Sequence, residues 1–204
     1  MTTAQEYIDG VVDLMPRGAA MRSQIAMELR AHIAERVAHG FPLDEVLRKL
    51  GDPIQLADSY LAAEPLVAAP FGERAAAKLI DTFVVLLIVG PLAALSSWLK
   101  PGPPVVKEIV LFVAFCGSAL LCLYTIVAEY QTAETLGKRV GGLRVVHESG
   151  RRINLGQAIV RQLPIALSVF FIDALFALFT DKSQRAFEML SKTRVVLALP
   201  QETP

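Results

Sequence analysis

Three long stretches almost without charge are the feature that most constrains the fold of this chain. They run over residues 79–98, 109–128 and 162–180, and Asp81 and Asp173 are the only charged side chains within them. Each has about the 20 residues that a helix needs to cross a hydrocarbon core. Because lipid offers the backbone no hydrogen-bond partners, such stretches are expected to be helices. The chain is therefore predicted to be an all-α integral membrane protein with two to three hydrophobic spans.

Composition agrees with a membrane protein and divides the chain into two parts. Apolar side chains make up 53% of the 204 residues, and the mean hydropathy is +0.46. With 13 Gly, 12 Pro and 2 Cys, collagen-like, disordered and disulfide-scaffold classes are excluded. Residues 1–70 carry 6 basic and 10 acidic side chains, whereas residues 71–204 carry 14 and 10. The two parts are therefore expected to lie in different surroundings.

The first part is predicted to be a soluble module of short helices over residues 1–64, followed by a linker over 65–72. In the junction Gly51-Asp52-Pro53, glycine can end one helix in the left-handed conformation, while Asp52 caps the next helix and Pro53 suits its first turn. No signal peptide is expected, because the chain opens with polar and acidic residues. The N-terminus is expected to be cytoplasmic.

The acids inside the apolar stretches are the candidate ion- and proton-binding residues. Arg74, Lys78 and Asp81 share one helix face, and Lys78 can reach either of the other two. Asp173 lies near the centre of its stretch, where an ionised Asp costs about 2.5–3.5 kcal/mol. Such acids suit a proton- or cation-coupled pathway. The alternative is structural: Lys78 pairs with Asp81 at the interface, and Asp173 faces another helix or subunit.

Basic residues in the loops predict the topology. The loop over residues 129–161 is strongly basic and includes Lys138, Arg139 and Arg161, so it is expected to be cytoplasmic together with the N-terminus. Three full crossings would place the basic C-terminal tail outside, against this rule. Alternatively, residues 162–180, broken near Pro164, form a re-entrant or interfacial element that returns to the cytoplasm. That alternative would also allow residues 143–146 and 193–199, both β-branched, to pair as strands on one side.

The long loop is also predicted to contain a small cytoplasmic β-hairpin. Its arms are residues 143–146 and 151–155, joined through Glu148-Ser149-Gly150. The basic side chains of this hairpin can hold anionic lipid headgroups, but a role as a topology determinant without a ligand is favoured.

Other chemistries find little support in the sequence. Gly137-Lys138 lacks the upstream glycine of a nucleotide-binding loop, and Arg139 stands where a metal-binding Ser or Thr would be. The helix face with two histidines, His32 and His39, is expected to be solvated and to bind no metal. No cofactor, disulfide or nucleophile with a base can be assembled. The chain is therefore not expected to be an enzyme.

The N-terminal module contains a characteristic series of residues: Tyr7, Ile8, Leu14, Glu28 to Arg30, His32, Ile33, Val46, Leu47, Leu50 to Pro53, Leu56, Ala57 and Tyr60. On these residues it resembles the HAAS-type signalling domain that precedes bacterial membrane segments. The resemblance implies a cytoplasmic protein-interaction module without catalytic residues.

A second set of residues recurs in order along residues 71–199: Arg74, Ala77, Ile80, Asp81, Thr135 to Arg139 with the loop motif Gly137, Lys138 and Arg139, then Gly142 to Val146, Gly150, Ala158, Arg161, Leu190, Thr193, Val195 and Val196. On these residues this part of the chain resembles the RDD family of small membrane proteins, named for an arginine and two aspartates. Where the family has its late aspartate, this chain has Glu188, and Asp173 is a second acid nearby. The resemblance implies a transport-associated protein, with sodium/proton exchange among the suggested activities.

These observations predict a membrane domain over residues 73–199 in the bacterial cytoplasmic membrane. Its predicted function is transport-associated, through Asp81, Asp173 and Glu188 with Arg74, Lys78 and Arg161 in support. The alternative is a membrane-anchored signalling or assembly subunit that binds a cytoplasmic protein through residues 1–64. Two or three spans are too few to enclose a pathway, so a homo-oligomer or membrane complex is expected. The lipid bilayer is the other expected partner, and nucleic acid is not.

Overall fold

The computed structural model describes residues 3–16, 20–63, 66–99, 105–167 and 185–198. Within these ranges the chain is mostly helical, with one two-stranded sheet. It divides into two compact units. The first contains Met1–Val67 with Val146–Arg152, and the second contains Ala68–Val145 with Ile153–Ala198. Asp173 and most of the third apolar stretch lie outside the described residues.

The first unit is built on four helices: α1 Ala4–Asp13, α2 Ala20–Ala38, α3 Leu43–Leu50 and α4 Pro53–Leu61. Their apolar faces form a shared core that includes Tyr7, Ile8, Val11, Ile25, Leu29 and Val46. A core of this kind is what the helical spacing of apolar residues predicted.

The junction between α3 and α4 confirms the predicted capping. Gly51 has φ +84°, a conformation that favours glycine, and its N–H donates to the carbonyl of Leu47. The Asp52 carboxylate accepts the N–H of Ile54 at 3.1 Å, and Pro53 occupies the first turn of α4. The Tyr7 hydroxyl donates to the carbonyl of Gly51 at 3.0 Å, which ties α1 to this corner.

The cap gives a modest, testable contribution to the stability of the first unit. Asp52→Ala removes the acceptor for the N–H of Ile54, and N-cap losses of this kind cost about 1 kcal/mol. We expect a small decrease in the thermal midpoint of the full chain, followed by circular dichroism in detergent. Asp52→Asn keeps an acceptor and should restore most of the loss. An unchanged midpoint for the alanine variant would contradict this role of the cap.

The second unit is built on two long helices, α5 Phe71–Leu99 and α6 Val105–Thr132, which contact each other. Both are long and apolar enough to cross a membrane, over Phe71–Leu95 and Lys107–Thr132. Only 22% and 11% of their most apolar windows are buried in the protein. The helix of a soluble core would be mostly buried, so this exposure favours lipid contact. Both helices extend beyond the predicted stretches because their polar flanks continue the helical backbone.

Short elements gather beside these helices. They are α7 Leu136–Val140, β1 Leu143–His147, α8 Leu155–Ala166, α9 Ala186–Leu190 and β2 Thr193–Leu197. The helix α8 contacts both α6 and α9, and β1 pairs with β2. The second unit has a small core that includes Ala77, Leu143, Val145, Ala158 and Val195.

The predicted two-stranded element is present, but one arm was assigned wrongly. The turn after β1 forms, since the N–H of His147 donates to the carbonyl of Arg151 at 2.8 Å. Residues 151–154 are nevertheless not a strand, and α8 begins at Leu155. The partner of β1 is β2, about fifty residues later in the chain. The sequence analysis allowed this pairing of residues 143–146 with 193–199 under the re-entrant alternative, and the structure forms it. Only the tertiary fold chooses between the nearer and the later segment.

Candidate functional site

Asp81 lies on α5 and is 1% exposed. One carboxylate oxygen, Oδ2, accepts the hydroxyl of Thr135 at 2.6 Å. The other, Oδ1, accepts the backbone N–H of Gly137 at 2.8 Å and is 3.5 Å from the hydroxyl of Tyr124. Asp81 therefore joins the first long helix to the start of α7, where Thr135 is the N-cap residue.

Gly137 brings the backbone of α7 against that of α5. A Cβ atom at this position would lie 2.0 Å from the carbonyl oxygen of Ala77, closer than any real Cβ contact. Only a residue without a side chain fits this approach. The glycine of the loop motif is thus required by packing, and its N–H is placed to reach Asp81.

Arg161 is the centre of a buried network of ion pairs. Its side chain is 0% exposed, although the sequence placed it at the end of a basic loop. Its Nε atom donates to Glu129 Oε2 at 3.1 Å, and Nη2 donates to Glu188 Oε1 at 3.2 Å. The third donor, Nη1, bonds the hydroxyl of Thr193 at 2.6 Å. One guanidinium therefore connects α6, α8, α9 and β2.

Glu188 is shared by three arginines. Besides Arg161, it accepts from Arg74 Nη2 at 2.5 Å and from Arg185 Nη2 at 2.9 Å. Burial alone would raise the pKa of Glu188, but the charges of Arg185, Arg161 and Arg74 outweigh burial and hold the pKa far below the usual range. Glu188 is therefore ionised at any physiological pH.

Glu129, near the end of α6, is the residue that the sequence analysis missed. It is 1% exposed and pairs with Lys138 as well as with Arg161. Burial lowers the pKa of Lys138, and the charge of Glu129 opposes that shift. Glu129 directly follows an apolar stretch in the sequence. That position is equally typical of a solvated residue at the end of a helix, so it did not indicate a buried ion pair.

A cavity of about 700 Å³ lies beside this network. Its wall combines apolar residues with Arg74, Lys78, Asp81, Thr82, Thr125, Glu129, Lys138, Gln162 and Arg185. Lys78 and Asp81 belong to the first part of α5, and Thr125 and Glu129 to the last turns of α6. The cavity therefore lies at one end of the pair of long helices, the end from which α7 follows.

Lys78 differs from the other basic residues of the wall. In the part of the chain that the structure describes, its ammonium group has no ion pair and no hydrogen bond. The structural alternative, a Lys78–Asp81 pair, is not formed, because the oxygens of Asp81 face Thr135 and Gly137. Arg74, on the same helix face, binds Glu188 on α9.

The other residues singled out from the sequence lie away from the cavity or outside the described residues. Arg139, the last residue of the loop motif, is 65% exposed and lies 3.5 Å from Glu134. In the first unit, Arg151 of the turn after β1 forms an ion pair with Asp58 at 2.8 Å. Asp173 lies outside the described residues. The structure thus brings Arg74, Arg161 and Glu188 together, and it places Asp81 with Gly137 in a neighbouring cluster.

Metal and disulfide chemistry receive no support from the described residues. They contain no group of three or more metal-ligating side chains. His39, on the predicted solvated face, contacts the carbonyl of Glu35 through Nδ1 at 2.7 Å. Cys116 and Cys122 are free thiols on α6.

Comparisons with known proteins agree with both resemblances. A HAAS model matches residues 6–59, and an RDD family model matches residues 68–192. Among curated proteins, the uncharacterized protein YxaI of Bacillus subtilis (strain 168) is similar, with 28% identity over 130 residues. That similarity covers 57% of this chain and 84% of YxaI. No solved structure matches the chain. The predicted order, HAAS followed by RDD, is confirmed.

Proposed function

The chain belongs to the RDD family, and from that premise we propose that it is a transport-associated membrane protein that binds an ion in the cavity beside Lys78 and Asp81. One observation carries the proposal: charged side chains line a cavity of about 700 Å³ at the end of two apolar helices. Ionisable side chains that belong to membrane-spanning helices and face a cavity mark ion or proton pathways in membrane proteins.

The geometry favours Asp81 as the coupling acid. Glu129 and Glu188 are each held by at least two basic side chains, so neither is suited to release or take up a proton. Within the described ranges, Asp81 has no cationic partner, and its hydrogen bonds come from neutral donors. A proton or a cation at Asp81 would compete with these donors. Cation/proton exchange is the form of coupled transport that we test first.

Contacts within the second unit support one of the two topologies. The third apolar stretch begins in the last turns of α8 and is followed by α9, and these two helices contact each other through Arg161 and Glu188. The pairing of β1 with β2 also places the segments before and after that stretch together. One full crossing would separate these flanks. We therefore propose the re-entrant alternative, with two crossings and with both termini in the bacterial cytoplasm.

Exposed apolar faces support an assembly in the membrane. Large side chains on α5 and α6, among them Phe83, Leu87, Phe115 and Leu123, are more than half exposed. Lipid can cover these faces, and so can other copies of the chain. We propose a homo-oligomer or a membrane-complex subunit, because two crossings are too few to enclose a pathway. The proposal assigns no enzymatic activity.

The first unit supports a second candidate function. Its helices have their own core, as expected of a module that folds separately from the membrane domain. A groove of about 370 Å³ on this unit is lined by His32, Arg36, Phe41, Glu45, Val46, Lys49 and Leu50. The chain would then be a membrane-anchored signalling or assembly subunit that holds a cytoplasmic protein at the HAAS module.

Asp81→Asn is expected to abolish coupled flux. The purified full chain is reconstituted in liposomes loaded with a pH-reporting dye, and sodium, potassium and proton gradients are imposed in turn. The asparagine side chain cannot take up a proton, so cation-dependent proton movement should fall to the level of empty liposomes. We expect this loss of proton movement from a substitution at the membrane site and not from one in the first unit.

Asp58→Asn, in the first unit, is the matched control and should retain the flux of the parent. Insertion is verified by protease protection in every preparation. Parent-like flux in Asp81→Asn would remove Asp81 from the mechanism. Correctly inserted parent protein that is silent under all gradients would overturn transport by this chain alone and favour the second candidate.

A further inference from the structure

We propose that the cavity beside Lys78 binds an oxyanion of the phosphate class, with the Lys78 ammonium group as the cationic contact to the ligand. The inference rests on the proposed function in taking this cavity as the ligand site, and it names the chemistry of the ligand. A free phosphate and the phosphate of a lipid headgroup share that chemistry.

The unpaired ammonium of Lys78 is the first observation. Lys78 lines the cavity and has no ion pair or hydrogen bond within the described residues. The charges of Glu129 and Asp81 attract this ammonium group without contacting it, and those of Lys138 and Arg185 oppose them, so the Lys78 charge is only partly compensated. An anionic ligand in the cavity would complete that compensation, and an oxyanion would supply several acceptors for the three donors of the ammonium group.

Two of the three acids nearby already bind cations, which is the second observation. Glu129 is shared by Lys138 and Arg161, and Glu188 is shared by three arginines. Asp81, the third acid, is held by the neutral donors Thr135 and Gly137. The described wall of the cavity has four basic side chains, Arg74, Lys78, Lys138 and Arg185, and two acidic ones, Asp81 and Glu129. This excess of basic side chains favours an anion beside Lys78.

The position of the cavity is the third observation. Lys78 lies about two turns from the start of α5, near one end of the proposed crossing. This is the depth at which basic residues reach the phosphates of lipid headgroups, and basic pockets between membrane helices bind such groups. A volume of about 700 Å³ has room for a headgroup with water, as well as for a free phosphate ion.

The test measures binding at equilibrium without any gradient. The full chain is purified in detergent and titrated with sodium phosphate in a calorimeter, against sodium chloride at equal ionic strength. In parallel, phosphatidylglycerol is added and its retention on the protein is followed by native mass spectrometry. Saturable phosphate binding would identify the ligand as a free ion. Retention of phosphatidylglycerol without phosphate binding would identify it as a lipid headgroup.

Lys78→Gln is expected to weaken the bound species about tenfold or more, because a charged contact becomes a neutral one. Lys78→Arg should keep most of the binding. Lys107→Gln, an exposed site at the start of the second crossing, is the matched control and should behave as the parent does. All variants must show the thermal midpoint of the parent, so that loss of binding is separated from loss of folding.

Two results would overturn the inference. One is the absence of both phosphate and phosphatidylglycerol binding by folded parent protein. The other is binding that Lys78→Gln leaves unchanged or that Lys107→Gln reduces equally. A silent flux assay with intact, Lys78-dependent binding would reject the proposed transport and leave the anion site standing. Flux by a protein that binds no anion would reject the anion site and leave the proposed transport standing.

Discussion

Replacing Arg161 with leucine is expected to destabilise the second unit by about 3–5 kcal/mol, among the largest effects of any single substitution in this protein. The guanidinium neutralises both Glu129 and Glu188, which are 1% exposed, and it bonds the Thr193 hydroxyl. Leucine would leave two buried carboxylates with fewer partners and the hydroxyl without this donor. A thermal midpoint measured on the full chain in detergent should fall by on the order of 10 °C.

Two variants separate charge from geometry in this prediction. Arg161→Lys keeps the positive charge but loses the fork that reaches three partners, so we expect an intermediate decrease. Arg139→Leu removes an exposed arginine whose pair with Glu134 is long, and exposed pairs contribute about 0–1 kcal/mol. If Arg161→Leu melted within a degree or two of the parent, the network would not support the fold as described.

Gly137→Ala is expected to have a comparable effect for a different reason. The new Cβ atom would lie 2.0 Å from the carbonyl oxygen of Ala77, and both sides of that contact are backbone. The chain must therefore separate α7 from α5, which also removes the hydrogen bond from the Gly137 N–H to Asp81. Overpacking and a lost buried hydrogen bond each cost about 1–3 kcal/mol.

Gly141→Ala provides the matched control for this prediction. Gly141 follows α7 with φ −82°, which alanine adopts easily, and a Cβ atom there would meet its nearest neighbours at 3.5 Å. We expect a stability near that of the parent from Gly141→Ala and a clear loss from Gly137→Ala. The measurement is again the thermal midpoint of the full chain, together with the yield of monodisperse protein. Equal behaviour of the two variants would show that the contact with Ala77 is not close.

Features that depend on residues within one short segment could be predicted from the sequence. The corner Gly51-Asp52-Pro53 has the predicted Asp52 cap, the predicted position of Pro53 and a positive φ at Gly51, although ψ of Gly51 is −156° and not that of a left-handed helix. The cap could be predicted because it depends on residues only two or three positions apart. The two apolar stretches became helices for a similar reason, since lipid leaves the backbone no alternative. The family resemblances were also readable, because they rest on ordered local motifs.

Ion pairs between residues far apart in the chain could not be predicted from the sequence. Arg74 was predicted to share a helix face with Lys78 and Asp81, but its ion-pair partner is Glu188, which follows 114 positions later. Residues 151–155 were wrongly assigned as the partner strand of β1, which pairs with β2, the later segment that the sequence left open as an alternative. Spacing along a helix gives the face on which a side chain lies, and it does not give the element that packs against that face.

The sequence by itself therefore determined that this chain has a helical N-terminal module, two apolar helices with charges beside them, and the order of the two families. Only the tertiary structure decided that Glu129 joins the network, that Arg161 is its buried centre, and that Lys78 alone among the predicted basic residues lines the cavity without a partner in the described ranges. The physical reason is that caps and spans depend on neighbouring residues and on the solvent, whereas the energy of a buried charge depends on which distant charges the fold brings to it.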